Sequence, residues 1–204
     1  AGRADVPPEI LYYLAEDGAA EVRRAIAANV AAPHQSHMML ARDADPSVRC
    51  DLATKLSRVL PGLSAEEHDK VRQSAHETLR TLARDQIAAV RQALAEALKD
   101  VAHAPADVIK TLARDTESAV AMPVLQFSPV LSDDDLIEII RSGPAAGGLN
   151  AIARRRAVGE KVSDAVAATD DPSAIADLLG NRGAQMREET LDRRVHGGIS
   201  RPIP

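Results

Sequence analysis

The sequence predicts an all-α fold, a right-handed α-solenoid of stacked helix pairs, on three observations. A short phrase recurs along the chain. Leu14-Ala15-Glu16-Asp17 is followed by Val22-Arg23 and Ile26-Ala27, and Leu40-Ala41-Arg42-Asp43 by Val48-Arg49 and Leu52-Ala53. Leu82-Ala83-Arg84-Asp85 is followed by Val90-Arg91 and Leu94-Ala95, while Leu112-Ala113-Arg114-Asp115 opens a fourth copy in which Ala121 replaces the Arg. A unit of this size cannot bury its own apolar face, so copies must stack. The second observation is composition: 45% of residues are hydrophobic but only 1% aromatic, and alanine dominates the apolar class. Ala is the best helix former and packs helices closely. Third, no period-two run of β-branched and aromatic residues reads as a strand.

Each unit reads in the same order. Pro7, Pro33 and Pro105 each precede the Leu of a phrase by seven residues. Pro is tolerated at the first helical position, where its missing N–H has no partner to lose. A short helix then ends near Leu-Ala-x-Asp, a turn follows, and a second helix runs from about Val-Arg onward. Ala44-Asp45-Pro46-Ser47 and Thr116-Glu117-Ser118 are turns rich in capping residues. Ile10, Leu11 and Leu14 share one helix face, as do Val108, Ile109 and Leu112, and Val22 lies one turn from Ile26.

The Asp residues of successive phrases lie 26, 42 and 30 residues apart. The long interval contains an insertion at about 56–76, with a turn at Leu60-Pro61-Gly62 and a capping box from Ser64 to Glu67. It lengthens the first helix of the third unit. Residues 1–125 thus form four regular repeats, 126–195 degenerate repeats of the same stack, and 196–204 a disordered tail.

The pattern loosens after Val120. Met122-Pro123 is expected to break or kink the fourth unit's second helix, and Phe127-Ser128-Pro129 to break it again. Ser132 and Asp133 to Asp135 cap an apolar helix through Leu136, Ile137, Ile139 and Ile140. Gly143 to Gly148 is a linker, and Arg154-Arg155-Arg156 a solvated helix face. Asp170-Asp171-Pro172-Ser173 starts a further helix, and Asn181-Arg182-Gly183-Ala184 echoes the turn at Asn29.

Net charge is −5 and the isoelectric point about 5.7, with both signs interspersed. This is a mixed surface rather than a polyanion-binding one. No apolar stretch approaches the roughly 20 residues that span a bilayer, so no membrane insertion is expected. No secretory leader is visible. The single Cys50 fits a reducing compartment, and the expected location is cytoplasmic. The opening Ala1-Gly2-Arg3 without Met, and the ending Pro202-Ile203-Pro204 in mid-pattern, are expected of a piece of a longer chain.

Reaction chemistry is not legible. His34 and His37 lack a third ligand type nearby in sequence and read as a surface pair. Cys50 beside Arg49 invites a lowered pKa, but no histidine is placed by spacing to activate it. The three adjacent aspartates lack the glycine bend of a hard-cation loop, and the Gly143 to Gly148 segment matches no phosphate-binding fingerprint. No catalytic residue, cofactor or metal is assigned, and the chain is expected not to be an enzyme.

Two sets of residues stand out. Asp17, Arg23, Asp43, Arg49, Asp85, Arg91 and Asp115 form repeat columns. Each Asp is expected to satisfy N–H groups at the start of the second helix. Each Arg is expected to bridge to its own or the neighbouring unit's Asp and tie the stack together. The second set is the polar groups of the second helices, Arg24, Asn29, Lys55, Arg58, Gln92 and Glu96, with Met122, Gln126 and Phe127 of the irregular fourth unit. These are the candidate partner-binding residues.

The phrase Leu-Ala-x-Asp, then Val-Arg, then Ile26-Ala27-Ala28-Asn29 with Pro33 following, resembles leucine-rich-repeat-variant and HEAT-type α-solenoids. From about Val6 to Arg194 the chain also resembles the bacterial domain of unknown function 2336. The resembling stretches are Pro7-Pro8-Glu9-Ile10-Leu11, the repeated phrases, Phe127-Ser128-Pro129-Val130-Leu131, Ile152-Ala153-Arg154-Arg155 and Val162-Ser163-Asp164-Ala165. The resemblance implies stacked helices and no assigned activity. With one cysteine the chain cannot carry the iron–sulfur module of the leucine-rich-repeat-variant prototype. The functional expectation is a non-catalytic scaffold or adaptor that binds a protein or peptide on its curved face, with a homodimer open as an assembly. The alternative is a nucleic-acid-binding HEAT-like module, which the charge and the three aromatics disfavour.

Overall fold

The computed structural model describes residues 6–59 and 69–187, with Asp69 and Lys70 as backbone only. The Ser64 capping box, the turn at Leu60-Pro61-Gly62 and the tail at 196–204 lie outside the described residues. Among the described residues twelve α-helices follow one another: α1 Pro8–Leu14, α2 Ala20–Ala28, α3 His37–Leu40, α4 Pro46–Val59, α5 Asp69–Ala83 and α6 Ala88–Leu98. The series continues with α7 Ala106–Ala113, α8 Ser118–Phe127, α9 Asp133–Ser142, α10 Gly148–Ala153, α11 Glu160–Ala167 and α12 Pro172–Gly180. A 3-10 turn, His34–Ser36, leads into α3. Among the described residues the only β pairing is an isolated parallel bridge between Val158 and Ala184, so the fold is all-α.

The even-numbered helices form a row in which α2 packs on α4, α4 on α6, α6 on α8, α8 on α10 and α10 on α12. Among the odd-numbered helices α3 packs on α5, α5 on α7, and α9 on α11. The apolar residues of the phrase supply the core. Val48, Val90 and Val120 are fully buried, as are Leu40, Leu82 and Leu112, and Ala53, Ala95 and Ala121. Alanine in these columns lets neighbouring helices approach closely, since a larger side chain there would overfill a packed interior.

Local chemistry explains the helix ends, with two corrections. The prolines were expected at the first helical position; Pro7, Pro33 and Pro105 instead sit one residue earlier, at the N-cap. Their φ values of −53°, −67° and −59° suit the pyrrolidine ring, and their carbonyls accept the first helical N–H groups. Of the break or kink expected at Met122-Pro123, the break does not occur: α8 runs through Pro123 and ends at Phe127, before Ser128-Pro129. Val120, Ala121, Val124 and Leu125 are fully buried and hold the helix. The carbonyl that Pro123 leaves without a donor belongs to Ala119, which is exposed to solvent. At α5, 15 residues long against 8 for α7, the structure has the lengthened helix expected of the third unit.

Beyond α8, Ser132 caps α9 in a reciprocal box: its hydroxyl accepts from the Asp135 N–H, and Asp135 accepts from the Ser132 N–H. Gly147, with φ +78°, supplies the left-handed turn that enters α10. The Asn181 echo is geometric. Asn29 and Asn181 each end a second helix, and each side-chain oxygen accepts from the N–H two residues on, of Ala31 and Gly183. The segment after Asn181 then pairs with Val158, whose N–H donates to the Gly183 carbonyl and whose carbonyl accepts from Gln185.

Candidate functional site

The repeat columns form a ladder of charged rungs. Arg23 on α2 donates through Nε and Nη2 to the two carboxylate oxygens of Asp43, at 2.6 and 3.0 Å. Arg49 on α4 grips Asp85 in the same way, at 2.5 and 3.0 Å, and Arg91 on α6 grips Asp115, at 2.5 and 3.0 Å. Each Arg also donates Nη1 to the backbone carbonyl of its own unit's Asp, that of Asp17, Asp43 and Asp85. Each Asp folds back to accept the N–H two residues on, that of Ala19, Asp45, Ile87 and Glu117. These N–H groups precede the second helix, so Asp shapes the turn rather than capping the helix itself. One guanidinium thus fixes its own turn and the next unit's turn together. The bidentate fork is the strong form of this contact.

Electrostatics agree with the geometry. Burial pushes the Asp43 and Asp115 carboxyls up, but the bonds from Arg23 and Arg91 outweigh it and hold both below the ordinary range. Arg23 and Arg91 are raised in turn by those bonds.

The ladder stops at Asp115. Ala121 occupies the next Arg position and is fully buried. Instead, Arg155 turns inward and donates to the carbonyls of Leu125 and Ser128 at 2.6 and 2.8 Å, closing the C-terminal end of α8. Burial lowers its pKa. The expected solvated Arg face is therefore corrected at its middle residue, while Arg154 reaches Asp177 and Arg156 is exposed.

The candidate partner-binding residues divide. Arg24, Arg58, Gln92, Glu96 and Phe127 are exposed, and Met122 and Gln126 are half-buried. Arg24 pairs with Asp51 across α2 and α4 at 2.8 Å. Lys99 donates to Glu96 and lies 5.2 Å from the centre of the Phe127 ring, linking α6 to α8. Phe127 itself is 48% exposed. Asn29 and Lys55, expected on the same face, are buried at 7% and 2% exposure and present nothing to a partner. Asn29 is spent on its turn.

Lys55 is the larger surprise. Its ammonium nitrogen lies 2.8 Å from Nε2 of His37 and 3.4 Å from the Ala32 carbonyl. His37, read from sequence as half of a surface pair, is 5% exposed, and its Nδ1 has no partner. Burial, and then the Lys55 charge, hold His37 down to about 3, while burial lowers Lys55 to about 8. At neutral pH a charged Lys55 donates to a neutral imidazole. A signal was present: Val48, Leu52 and Lys55 follow the i, i+4, i+7 spacing of one buried face.

Other groups with chemical potential are quiet. The half-buried Cys50 thiol is raised by burial and by Asp51, not lowered as Arg49 beside it invited, and its Sγ sits 3.7 Å from the Ala89 carbonyl. Among the described residues no three His, Cys, Asp or Glu gather as a metal site, and Asp135 is committed to its capping box and to Lys110 at 2.6 Å. An open groove of about 400 Å³ lies between Pro8, Glu9, Tyr12, Tyr13, Pro33 and Gln35. No helix among the described residues is long and apolar enough to cross a membrane.

Comparison with known proteins adds one finding. Residues 120–197 match a family described as an uncharacterised protein conserved in bacteria (DUF2336). The match begins within α8 and covers the part of the chain where the regular phrase has given way. No curated protein and no solved structure matches the chain.

Proposed function

We propose a non-catalytic scaffold or adaptor for this chain, whose residues 120–197 match the model of an uncharacterised bacterial family. It is a right-handed α-solenoid, HEAT-like or leucine-rich-repeat-variant-like, that binds a protein or peptide in the cytoplasm along its even-numbered helices. The observation that carries the reading is the exposed strip across α2, α4, α6 and α8. There Arg24 and Asp51, Arg58, Gln92, and Glu96 with Lys99 lead to an exposed phenylalanine. Mixed polar groups around one aromatic anchor are the composition of a protein-binding face.

The nucleic-acid alternative loses its best candidates on this geometry. Arg23, Arg49 and Arg91 are each engaged bidentately by a carboxylate and bonded through Nη1 to a backbone carbonyl, so their charge is already paired rather than offered to phosphates. The test is affinity capture from the source cell's lysate with lysine-directed cross-linking and mass spectrometry. A specific protein cross-linked through Lys99, and lost with Phe127→Ala, is the expected result. Recovery of nucleic acid alone, or of a protein that Phe127→Ala retains in full, overturns the assignment to this strip.

A further inference from the structure

Inside the stack, the rung after Asp115 is missing on both sides. α9 matches α7 at an offset of 27 residues. The N-cap Ser132 falls on Pro105, and the buried Leu136 and Ile139 fall on the buried Ile109 and Leu112. In that register Ser142 stands where Asp115 stands, and Ala121 where Arg91 stands. In each of the three complete rungs the Arg Nη1 serves two carbonyls of its own turn. The distances are 2.8 and 3.2 Å at Asp17 and Gly18, and 2.7 and 3.4 Å at Asp85 and Gln86, with Asp43 and Ala44 served alike. Ala121 has no such donor, and no group among the described residues donates to the Asp115 or Thr116 carbonyl in its place. The space is not closed up. A cavity of about 380 Å³ lies there, lined by Arg114, Asp115 and Thr116 on one side and by Ser142, Gly143 and Pro144 on the other. The loop at 143–147 is longer than the two-residue turn between Asp115 and α8, and Ser118 pins it by donating Oγ to the Ala146 carbonyl at 2.8 Å. Thr116, Ser142 and Gly143 are exposed, so the cavity is reached from solvent.

We propose that this vacated rung is a binding site for a guanidinium group carried by a ligand from outside the chain. The group donates to the Asp115 and Thr116 carbonyls, as the inner arginines do in their own turns, and to the Ser142 oxygen. Ser142 gives its own proton to the Ile139 carbonyl at 2.9 Å, which leaves its lone pairs to accept. An anion does not fit. The donors that line the cavity are already given away, the Gly143 N–H to Ile140 and Arg114 to Glu138, and the Asp115 carboxylate lines the same space. An ammonium lacks the planar fork that reaches two carbonyls at once. The position from which the chain fills its other rungs carries only a methyl group here, so the guanidinium comes from a ligand. An arginine side chain of a peptide and a free guanidino compound share this chemistry. The site lies apart from the Phe127 strip and does not depend on it.

The test is backbone NMR titration of the full chain with methylguanidinium, methylammonium and a peptide of alanines around one arginine. Methylguanidinium is expected to give saturable shifts confined to 114–118 and 142–146, and methylammonium to bind at least about tenfold more weakly. A peptide that binds more tightly than methylguanidinium identifies a partner's arginine as the source, and equal binding a free compound. Ser142→Asp supplies the missing carboxylate and is expected to tighten guanidinium binding about tenfold. Ala121→Arg with Ser142→Asp rebuilds the rung from within and is expected to abolish it. Ser142 is exposed, so the single variant carries the test if the double one does not fold. Phe127→Ala leaves this binding unchanged. No saturable shift at tens of millimolar methylguanidinium, equal binding of methylammonium, or a Ser142→Asp chain no tighter than the parent overturns the proposal. So does binding that emerges only when Arg193, Arg194 and Arg201 are replaced by alanine, because the chain would then fill the site itself.

Discussion

At the scale of single residues, the buried pair Lys55–His37 governs how the fold responds to pH. An ammonium and an imidazole with no acid between them can share a dry site only if the imidazole stays neutral. His37 falls from an ordinary 6.5 to about 3 in the folded state. Between those values the unfolded chain holds the extra proton, so stability falls as pH is lowered through that window. Lys55 falls from 10.5 to about 8. Between pH 8 and 10.5 the unfolded chain again binds more protons, so stability rises with pH there, by up to about 3 kcal/mol. Urea unfolding across pH 3–11 checks both signs. His37→Gln is expected to flatten the acid limb and Lys55→Met to remove the alkaline rise. Unchanged limbs in both variants would place the pH response elsewhere. Composition could not announce this pair, because lysine and histidine are ordinarily surface residues; only the position of Lys55 on the Val48 and Leu52 face marks it.

At the scale of elements, the turn and helix pattern was legible because one phrase encodes it repeatedly. The phrase marks the Arg and Asp columns but leaves open whether each Arg bridges within a unit or between units. Three dimensions decide that: each carboxylate goes to the preceding unit's Arg, and each own-unit contact goes to a carbonyl. A break at Pro123 is prevented by the buried Val120, Val124 and Leu125 that hold α8 together, which local propensity does not register. Of the exposed strip, Arg24, Arg58, Gln92, Glu96 and Phe127 were readable as surface, whereas Asn29 was consumed by a turn whose chemistry depends on its buried oxygen. Energetics should follow the same division. Arg49 and Asp85 are about one-tenth exposed at their side chains, and Arg49→Ala strands a nearly buried carboxylate together with the Asp43 carbonyl. The expected cost is about 3 kcal/mol. Arg24→Ala breaks a pair open to solvent and is expected to cost under about 1 kcal/mol. Urea midpoints of the two variants compare them directly, and equal losses would mean that the ladder adds nothing to ordinary surface pairing.

At the scale of the whole molecule, the ladder makes coupling between units uneven. Each unit of a stack is held by its neighbours, so an end unit has one interface and an inner unit two. Here the first pair has in addition a half-buried Leu14 and Val22, while α4 and α6 each carry a rung on either side. Past Asp115 the connection changes in kind: Lys110–Asp135 and Arg114–Glu138 join α7 to α9 through more exposed pairs, and Arg155 closes α8 from α10's end. Local opening should therefore begin at α1–α2, and disturbance should not travel freely across the point where the rungs end. Native-state hydrogen exchange measures this helix by helix. Amides of α2 are expected to open with a free energy about 2 kcal/mol below those of α6, roughly thirtyfold in protection. Arg49→Ala should lower protection in α2 and α4 while leaving α10 to α12 within twofold of the parent. Equal protection in every helix would mean that the chain opens only as one cooperative block. In that case the rungs would bind no more tightly to their neighbours than the apolar columns already do.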